Sequence, residues 1–494
     1  MIKRIFMGAA GLFVLLLIIV LFRTFTFGGA PDGVIEIDLP TPPAISAEAG
    51  AQHLSEAIRF KTITFRAGDP KPEQAQPWLD LHDWLGATYP NVHERLTLEF
   101  HADYSLLYKW EGRDASLDPI ILMAHQDVVP VNLGTLSDWT GAPFAGEIVD
   151  GYIYGRGALD DKSALIAILE AGEALLESGF EPQRTVYFMF GHDEEVSGRG
   201  AETMVNVLHE RGVRAELVLD EGFFIIEDSP ITGRPMGFIG VAEKGYITLK
   251  LTASAVGGHS SAPPRNSANV QLARAIVALD ENQMKADFSK PPVSDLFRAA
   301  APDMGFGQRM ALANMWLFRG IVEGQLSNGA ANAMVRTTTA PTMLEGSIKE
   351  NVLPQRSSAI VNFRVHPNDT PEDVMAHARD IAGQFDVEVA LSQEGGIGSA
   401  ASPVSPVSNR SYSVLKAVAS HAGEGALTVP GLVIGATDAR FASKISDNVY
   451  RFVPSLMTLK DTAGFHGTNE RLSVANMGRM AEGYAQLILA MDAP

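Results

Sequence analysis

Residues 118–129 read DPIILMAHQDVV, an apolar run that closes on an imidazole and a carboxylate. Residues 184–195, RTVYFMFGHDEE, and 215–222, AELVLDEG, repeat the arrangement, each a short apolar strand ending in acids. Runs apolar throughout suit strands covered on both faces, and helical patterns such as residues 47–60 (AEAGAQHLSEAIRF) and 77–90 (PWLDLHDWLGATYP) alternate with them. This alternation predicts an α/β domain built on a mostly parallel sheet, in which binding groups collect at the carboxyl ends of the strands.

Working outward, residues 244–261 (KGYITLKLTASAVGGHSS) and 357–367 (SSAIVNFRVHP) switch to alternating polar and apolar residues, the pattern of half-exposed strands. With the helical stretch 370–385 and the strand-like 387–392 they predict an α+β domain inserted into the first, serving as a lid or dimerisation surface. Residues 282–343 read as mixed helix and loop, apolar enough to cover a site. The chain then returns through 432–442 and 464–491 to a closing helix. The expected boundaries are 47–246 and 394–494 for the two parts of the catalytic domain and 247–393 for the insertion.

Towards the amino terminus, Lys3 and Arg4 precede 18 uncharged residues, 5–22, and Arg23 follows. A helix there spans roughly 27 Å, enough to cross a bilayer. No small-x-small cleavage site follows, so residues 1–23 read as an uncleaved single-pass anchor with the body outside the cytoplasm; secretion after signal cleavage is the alternative. Residues 24–46, rich in Gly and Pro, read as an extended tether.

Composition narrows the chemistry. The 494 residues carry a net charge of −19 with no basic cluster, which argues against nucleic acid as a partner. Cys is absent, so His and carboxylates are the available strong metal ligands. His125 and Asp127, two apart, project from one face of a strand end, where the carboxylate can support the imidazole or a metal. Asp160 and Asp161 precede an apolar helix and could be helix-capping acids. Glu194 and Glu195 are adjacent and diverge, so that one can hold a metal while the other faces water. Asp220 or Glu221 adds a third strand end, and His466 sits in a glycine-bounded loop. Two His with several carboxylates form the ligand set of a two-zinc hydrolytic centre. His192 reads as a neighbour of the site and not a ligand. His53, His82, His93, His101, His209, His366, His377 and His421 lack metal-like surroundings and read as solvated or helix residues.

Taken together, ILMAHQDVVP, GRGALDDK, GHDEEVSG, LVLDEG, GGHSSAPP and GFHGTNERL resemble, in order, the M20 metallopeptidase family. Within it the chain is most similar to the branch of carboxypeptidase S and the PM20D1-like N-fatty-acyl-amino-acid synthase/hydrolases. The resemblance implies two zinc ions per subunit, with His125 and Asp220 on one, Glu195 and His466 on the other, and Asp160 bridging. It further implies a cis peptide between Asp160 and Asp161, Asp127 orienting His125, and Glu194 as general base. His259 would polarise the scissile carbonyl, reaching across a homodimer interface. Arg440 and Asn351 would contact a small-molecule or peptide substrate with a free carboxylate. The expected reaction is hydrolysis of an amide next to a carboxyl-terminal or N-acylated amino acid, reversible with fatty acyl chains. An aminoacylase or dipeptidase, or a non-catalytic membrane-anchored binding protein, are the alternatives.

Overall fold

The computed structural model describes residues 2–29, 31, 33–392 and 398–492. Its main sheet has four adjacent parallel strands at its centre, in the order Val186–Gly191, Ile120–His125, Leu217–Asp220 and Val449–Arg451. The first three are buried at every position, as their unbroken apolar character requires. One face is covered by the helices Lys162–Glu177 and Val474–Asp492, which join the largest core; the other by Arg199–Glu210.

The sheet is mixed: antiparallel pairs flank the parallel centre, and beyond them Leu427–Val433 pairs parallel with Met236–Glu243 and Leu456–Met457 with Ile225–Ile226. Thr97–His101 and Ser105–Trp110 form a hairpin at one edge, and Met236–Glu243 runs opposite to Val449–Arg451 on the other side. The hairpin turns on Ala102 and Asp103, both at positive φ. Such turns usually advertise themselves with Asn-Gly or Asp-Gly, and Ala-Asp conceals this one.

A second, wholly antiparallel sheet orders the strands Thr338–Glu345, Arg356–Val365, Gly245–Ser254 and Val387–Leu391. Burial alternates along Arg356–Val365, and the helices Ala268–Glu281 and Pro371–Gly383 complete a core separate from the first. The expected boundary at 393/394 lies outside the described residues. The segment expected as mixed helix and loop holds the helices Val293–Ala300, Phe306–Ala313, Met315–Gln325 and Gly329–Val335. They leave the second sheet to pack on the first, where Leu296, Ala299 and Ala300 meet Met236 and Phe238.

The amino-terminal helix, Ile2–Thr26, is long and apolar enough to cross a membrane over residues 4–26, and little of it is buried. The stretch after it is extended, as expected, but not free. Val34, Ile37, Leu39 and Ile45 pack against the main core, and the Ile35 N–H donates to Ser413 Oγ at 3.2 Å.

Candidate metal centre and catalytic site

Strand ends and two loops deliver the centre. His125 closes its strand in register with Gly191, so the turn carrying Glu194 and Glu195 leaves the sheet beside it. Asp127 ties these together: Oδ1 accepts the Glu194 N–H at 3.0 Å, and Oδ2 accepts the Glu195 N–H at 3.2 Å and the Thr64 hydroxyl at 2.8 Å. The His125 Nδ1–H donates to the Asp127 carbonyl at 3.0 Å, with Asp127 Oδ1 at 3.3 Å. This fixes the tautomer that presents Nε2 to the site.

His125 Nε2 faces Asp160 Oδ1 at 2.9 Å and Glu221 Oε1 at 3.5 Å. The other oxygen of Asp160 lies 3.0 Å from His466 Nε2, which is 3.1 Å from Glu195 Oε2. Asp160 therefore stands between the two imidazoles with one oxygen turned to each. The Asp160–Asp161 peptide is cis. Asp161 occupies the N-cap position of Lys162–Glu177 without making a capping bond, and both its oxygens are buried and unpartnered.

Asp220, expected as a ligand, is turned away. Its carboxylate accepts the N–H groups of Glu221 at 2.9 Å and Ala439 at 2.7 Å. The strand ends at Asp220, so the next residue leaves the pleat and Glu221 enters the site instead. His192 also points elsewhere, its Nδ1 paired with Ser105 Oγ at 2.7 Å.

Two positioning residues escaped the sequence reading although both lie within the quoted motifs. Glu470 Oε1 accepts the N–H groups of Gly157, Leu159 and Asp160 at 3.0, 2.8 and 3.2 Å. Arg156 pairs with Glu470 and donates to the carbonyls of His466 and Gly467 at 3.2 and 3.3 Å. This buried pair ties the Asp160 loop to the His466 loop.

The electrostatics ask for a cation. Burial pushes the Glu194 carboxyl well above the usual range, with repulsion from Asp438, Glu221 and Glu195 adding to it. Burial and then the charge of Asp160 raise Glu221 to about 8. Burial also raises Glu195, partly offset by His466, and Glu195 Oε1 has no partner. Burial opposes ionisation of Asp160 too, but bonds from His125 and His466 outweigh it and hold its pKa below the ordinary range. Hydrogen bonds donated to Asp160 and Glu195 lift His466 to about 10. Carboxylates crowded in a desolvated site are self-repelling unless a metal neutralises them, so the donor set fits metal ions. His125, Glu194 and Glu221 form one group that could hold an ion; His125, Asp160 and Glu195 form another.

The centre opens into a cleft of about 910 Å³ between the two sheets, with Lys244, Tyr246 and Arg364 on the far side. Arg440 is at its edge. Nη1 lies 3.7 Å from Glu194 Oε1, and the guanidinium is held over the Phe441 ring at 4.5 Å and by the carbonyls of Thr437 and Ser197. His259 and Asn351 are not brought to this cleft in the same chain. They sit together on a two-stranded ribbon, Gly258–His259 with Val352–Leu353, where His259 is exposed and Asn351 Oδ1 is without a partner.

The sequence profile of peptidase family M20/M25/M40 matches residues 121–490, which contain His125, Asp160, Glu194, Glu195, Glu221 and His466. This chain belongs to the M20 peptidase family. The M20 assignment makes it a hydrolytic enzyme of a metal-dependent family. It is 37% identical over 443 residues to a probable carboxypeptidase S-like 2 of Dictyostelium discoideum, covering 89% of this chain and 84% of that protein. It is 36% identical to the N-fatty-acyl-amino acid synthase/hydrolase PM20D1.1 of Danio rerio, over 99% of this chain and 96% of that one. Its fold matches the M20 family metallo-carboxypeptidase Sso-CP2 of Sulfolobus solfataricus with a TM-score of 0.65 at 18% identity, covering 90% and 99% of the two chains.

Proposed function

We propose that the protein is a membrane-anchored two-zinc amide hydrolase that releases an amino acid from an N-acyl amino acid or from the carboxyl terminus of a peptide. The observation that carries this reading is Asp160, whose two oxygens face the imidazoles of His125 and His466, while Glu194 lies beside Arg440. One ion would be held by His125, Asp160 and Glu221, the other by Asp160, Glu195 and His466. Zinc bound there would acidify water and polarise a carbonyl oxygen.

The chain supplies the rest. Glu194 takes the proton of the attacking water on its carboxylate and returns it to the departing nitrogen, so that one water is consumed and an acid and an amine are formed. Arg440, beside Glu194, offers a planar cation to the free carboxylate of the substrate. The exposed ribbon bearing His259 and Asn351 would reach the cleft of a second copy, where the imidazole donates to the carbonyl oxygen as negative charge develops. The same groups run backwards would condense a fatty acid with an amino acid, the reaction named for the PM20D1.1 relative.

The experiment is hydrolysis of N-acyl amino acids of graded chain length beside dipeptides, with zinc measured on the same sample. Turnover of acyl amino acids that scales with zinc content supports the reading. Binding of zinc without hydrolysis of either class refutes it.

A further inference from the structure

The amino-terminal helix does not stand apart from the body, and where it docks fixes what lies beside the membrane. Val20 and Thr24 are buried against the helical excursion. Arg23 Nε donates to the Ala313 carbonyl at 3.0 Å, and the buried Asn314 amide donates to the Val20 carbonyl at 3.2 Å. Arg309 caps the helix end through the carbonyls of Phe27 and Phe25 at 3.0 and 3.1 Å. With residues 4–26 spanning a bilayer, these contacts put Phe306–Ala313 and Met315–Gln325 at the level where the chain leaves the hydrocarbon.

That level is where the excursion bares its apolar side chains. Phe306, Trp316, Leu317 and Ile321 are 52%, 56%, 48% and 59% exposed. Leu317 and Ile321, four apart, share a face of Met315–Gln325. Facing water, this cluster would be a liability. At a bilayer surface it is the pattern of an interfacial helix, with tryptophan at headgroup depth and aliphatic neighbours below.

Beneath these helices lies a cavity of about 580 Å³ whose lining is overwhelmingly apolar, including Phe223, Phe238, Leu296, Leu312, Val322 and Met334. Leu312 and Val322 come from the helices beside the anchor. Phe223 follows Glu221 and Gly222 directly, and the next ring, Phe224, stacks on Phe465 beside His466 at 5.8 Å. One wall of the cavity is therefore built from the membrane-level helices and the opposite wall from the loop that carries a candidate metal ligand.

We propose that the helices Phe306–Ala313 and Met315–Gln325 rest on the bilayer beside the anchor, and that the cavity they roof receives the acyl chain of a substrate passed sideways from the lipid. The acyl half of this inference rests on the proposed amide hydrolysis; the bilayer contact does not. Chain burial rewards length, each methylene adding about fourfold to binding. The cavity volume falls within the roughly 300–1,000 Å³ of ordinary small-molecule sites.

Two measurements on the full chain in phosphatidylcholine nanodiscs test it. Trp78, Trp110 and Trp139 are buried in the body and Trp84 is half-buried, which leaves Trp316 as the exposed tryptophan. Brominated acyl chains should quench part of the tryptophan emission, and Trp316→Phe should abolish that part; quenching that is absent, or unchanged in Trp316→Phe, overturns the bilayer contact. Ala311→Phe and Ala331→Phe, made separately, each fill the cavity from a different helix. In either, the ratio of kcat/KM for N-palmitoyl-leucine to that for N-acetyl-leucine should fall at least tenfold. A ratio unchanged in a variant that still turns over the acetyl substrate overturns the acyl site. If the unaltered protein hydrolyses neither substrate, the acyl site is overturned; dipeptide hydrolysis then decides whether the proposed function stands, and Trp316 quenching still decides the bilayer contact.

Discussion

Asp220→Asn and Glu221→Gln each remove one negative charge and almost no volume from neighbouring positions, yet the geometry assigns them opposite consequences. Asp220 is 2% exposed, and its carboxylate is occupied by the N–H groups of Glu221 and Ala439. Asn keeps one acceptor and turns an NH₂ group towards the other N–H. The loss is one hydrogen bond to a charged acceptor plus a donor left facing a donor, about 2–3 kcal/mol. Asp220→Asn should therefore lower the thermal midpoint by about 2–3 °C and leave the zinc content intact. Glu221→Gln breaks no hydrogen bond to the backbone but removes an anionic oxygen 3.5 Å from His125 Nε2. Changes just outside a metal's ligands already cost about 10–100-fold in affinity, so loss of a ligand should cost at least about 10²-fold. The assay is metal content per chain after dialysis against buffered zinc, with thermal unfolding of the metal-free proteins alongside. Glu221→Gln should retain one ion of two, regain the second and its activity in added zinc, and unfold normally without metal. Zinc loss in Asp220→Asn with full retention in Glu221→Gln would refute the assignment and restore the expectation drawn from sequence.

The adjacent acids divide their labour in the same testable way. Glu194→Gln should keep both ions and lower turnover by about 10² to 10⁴, while Glu195→Gln should lose metal first and recover in added zinc; the reverse outcome exchanges their roles. His259→Ala should lower turnover on the order of a hundredfold at unchanged zinc content. Mixing His259→Ala with Glu194→Gln subunits should restore activity by pairing an intact cleft with an intact histidine, and no recovery in a verified mixed dimer counts against the exchange between copies. His366, 1% exposed, has its pKa pushed down to about 4 by burial and then by Lys244. The unfolded chain binds the proton near pH 6.5, so this group's stability contribution is complete above that pH and lost as pH falls towards 4, on the order of 3 kcal/mol in all. His366→Asn keeps an acceptor for the Asn368 N–H and should flatten the acid limb of denaturant stability; an unaltered slope would show that other groups set it.

The central strands were legible because a strand buried on both faces must be apolar throughout, and the acids at its end then stand out. His125 and Glu195 stand out for that reason, Asp160 and His466 entered through the resemblance of their loops, and the structure brings the four together. Asp220 and Glu221 could not be told apart by local rules. Alternation along a strand ceases where the strand ceases, and the partner that claims Asp220 is the N–H of Ala439, far along the chain. The edge hairpin went unread because Ala102 and Asp103 adopt positive φ without a glycine to announce it. Among the histidines set aside as solvated or helical, His366 is buried beside Met334, Thr337 and Lys244, a long-range fact that its neighbours in sequence do not carry.

The Arg156–Glu470 pair has a consequence for how the chain is made. It joins a loop from the first third of the protein to one near its end, and the helix Val474–Asp492 then closes over Lys162–Glu177. During synthesis the early strands, Asp160 included, emerge long before their partners, so the centre cannot assemble progressively from the amino terminus. A chain stopped short of His466 holds the acids of a metal site with neither the second imidazole nor the carboxylate that shapes the Asp160 loop. A complete two-ion centre would thereby require synthesis through His466 and Glu470.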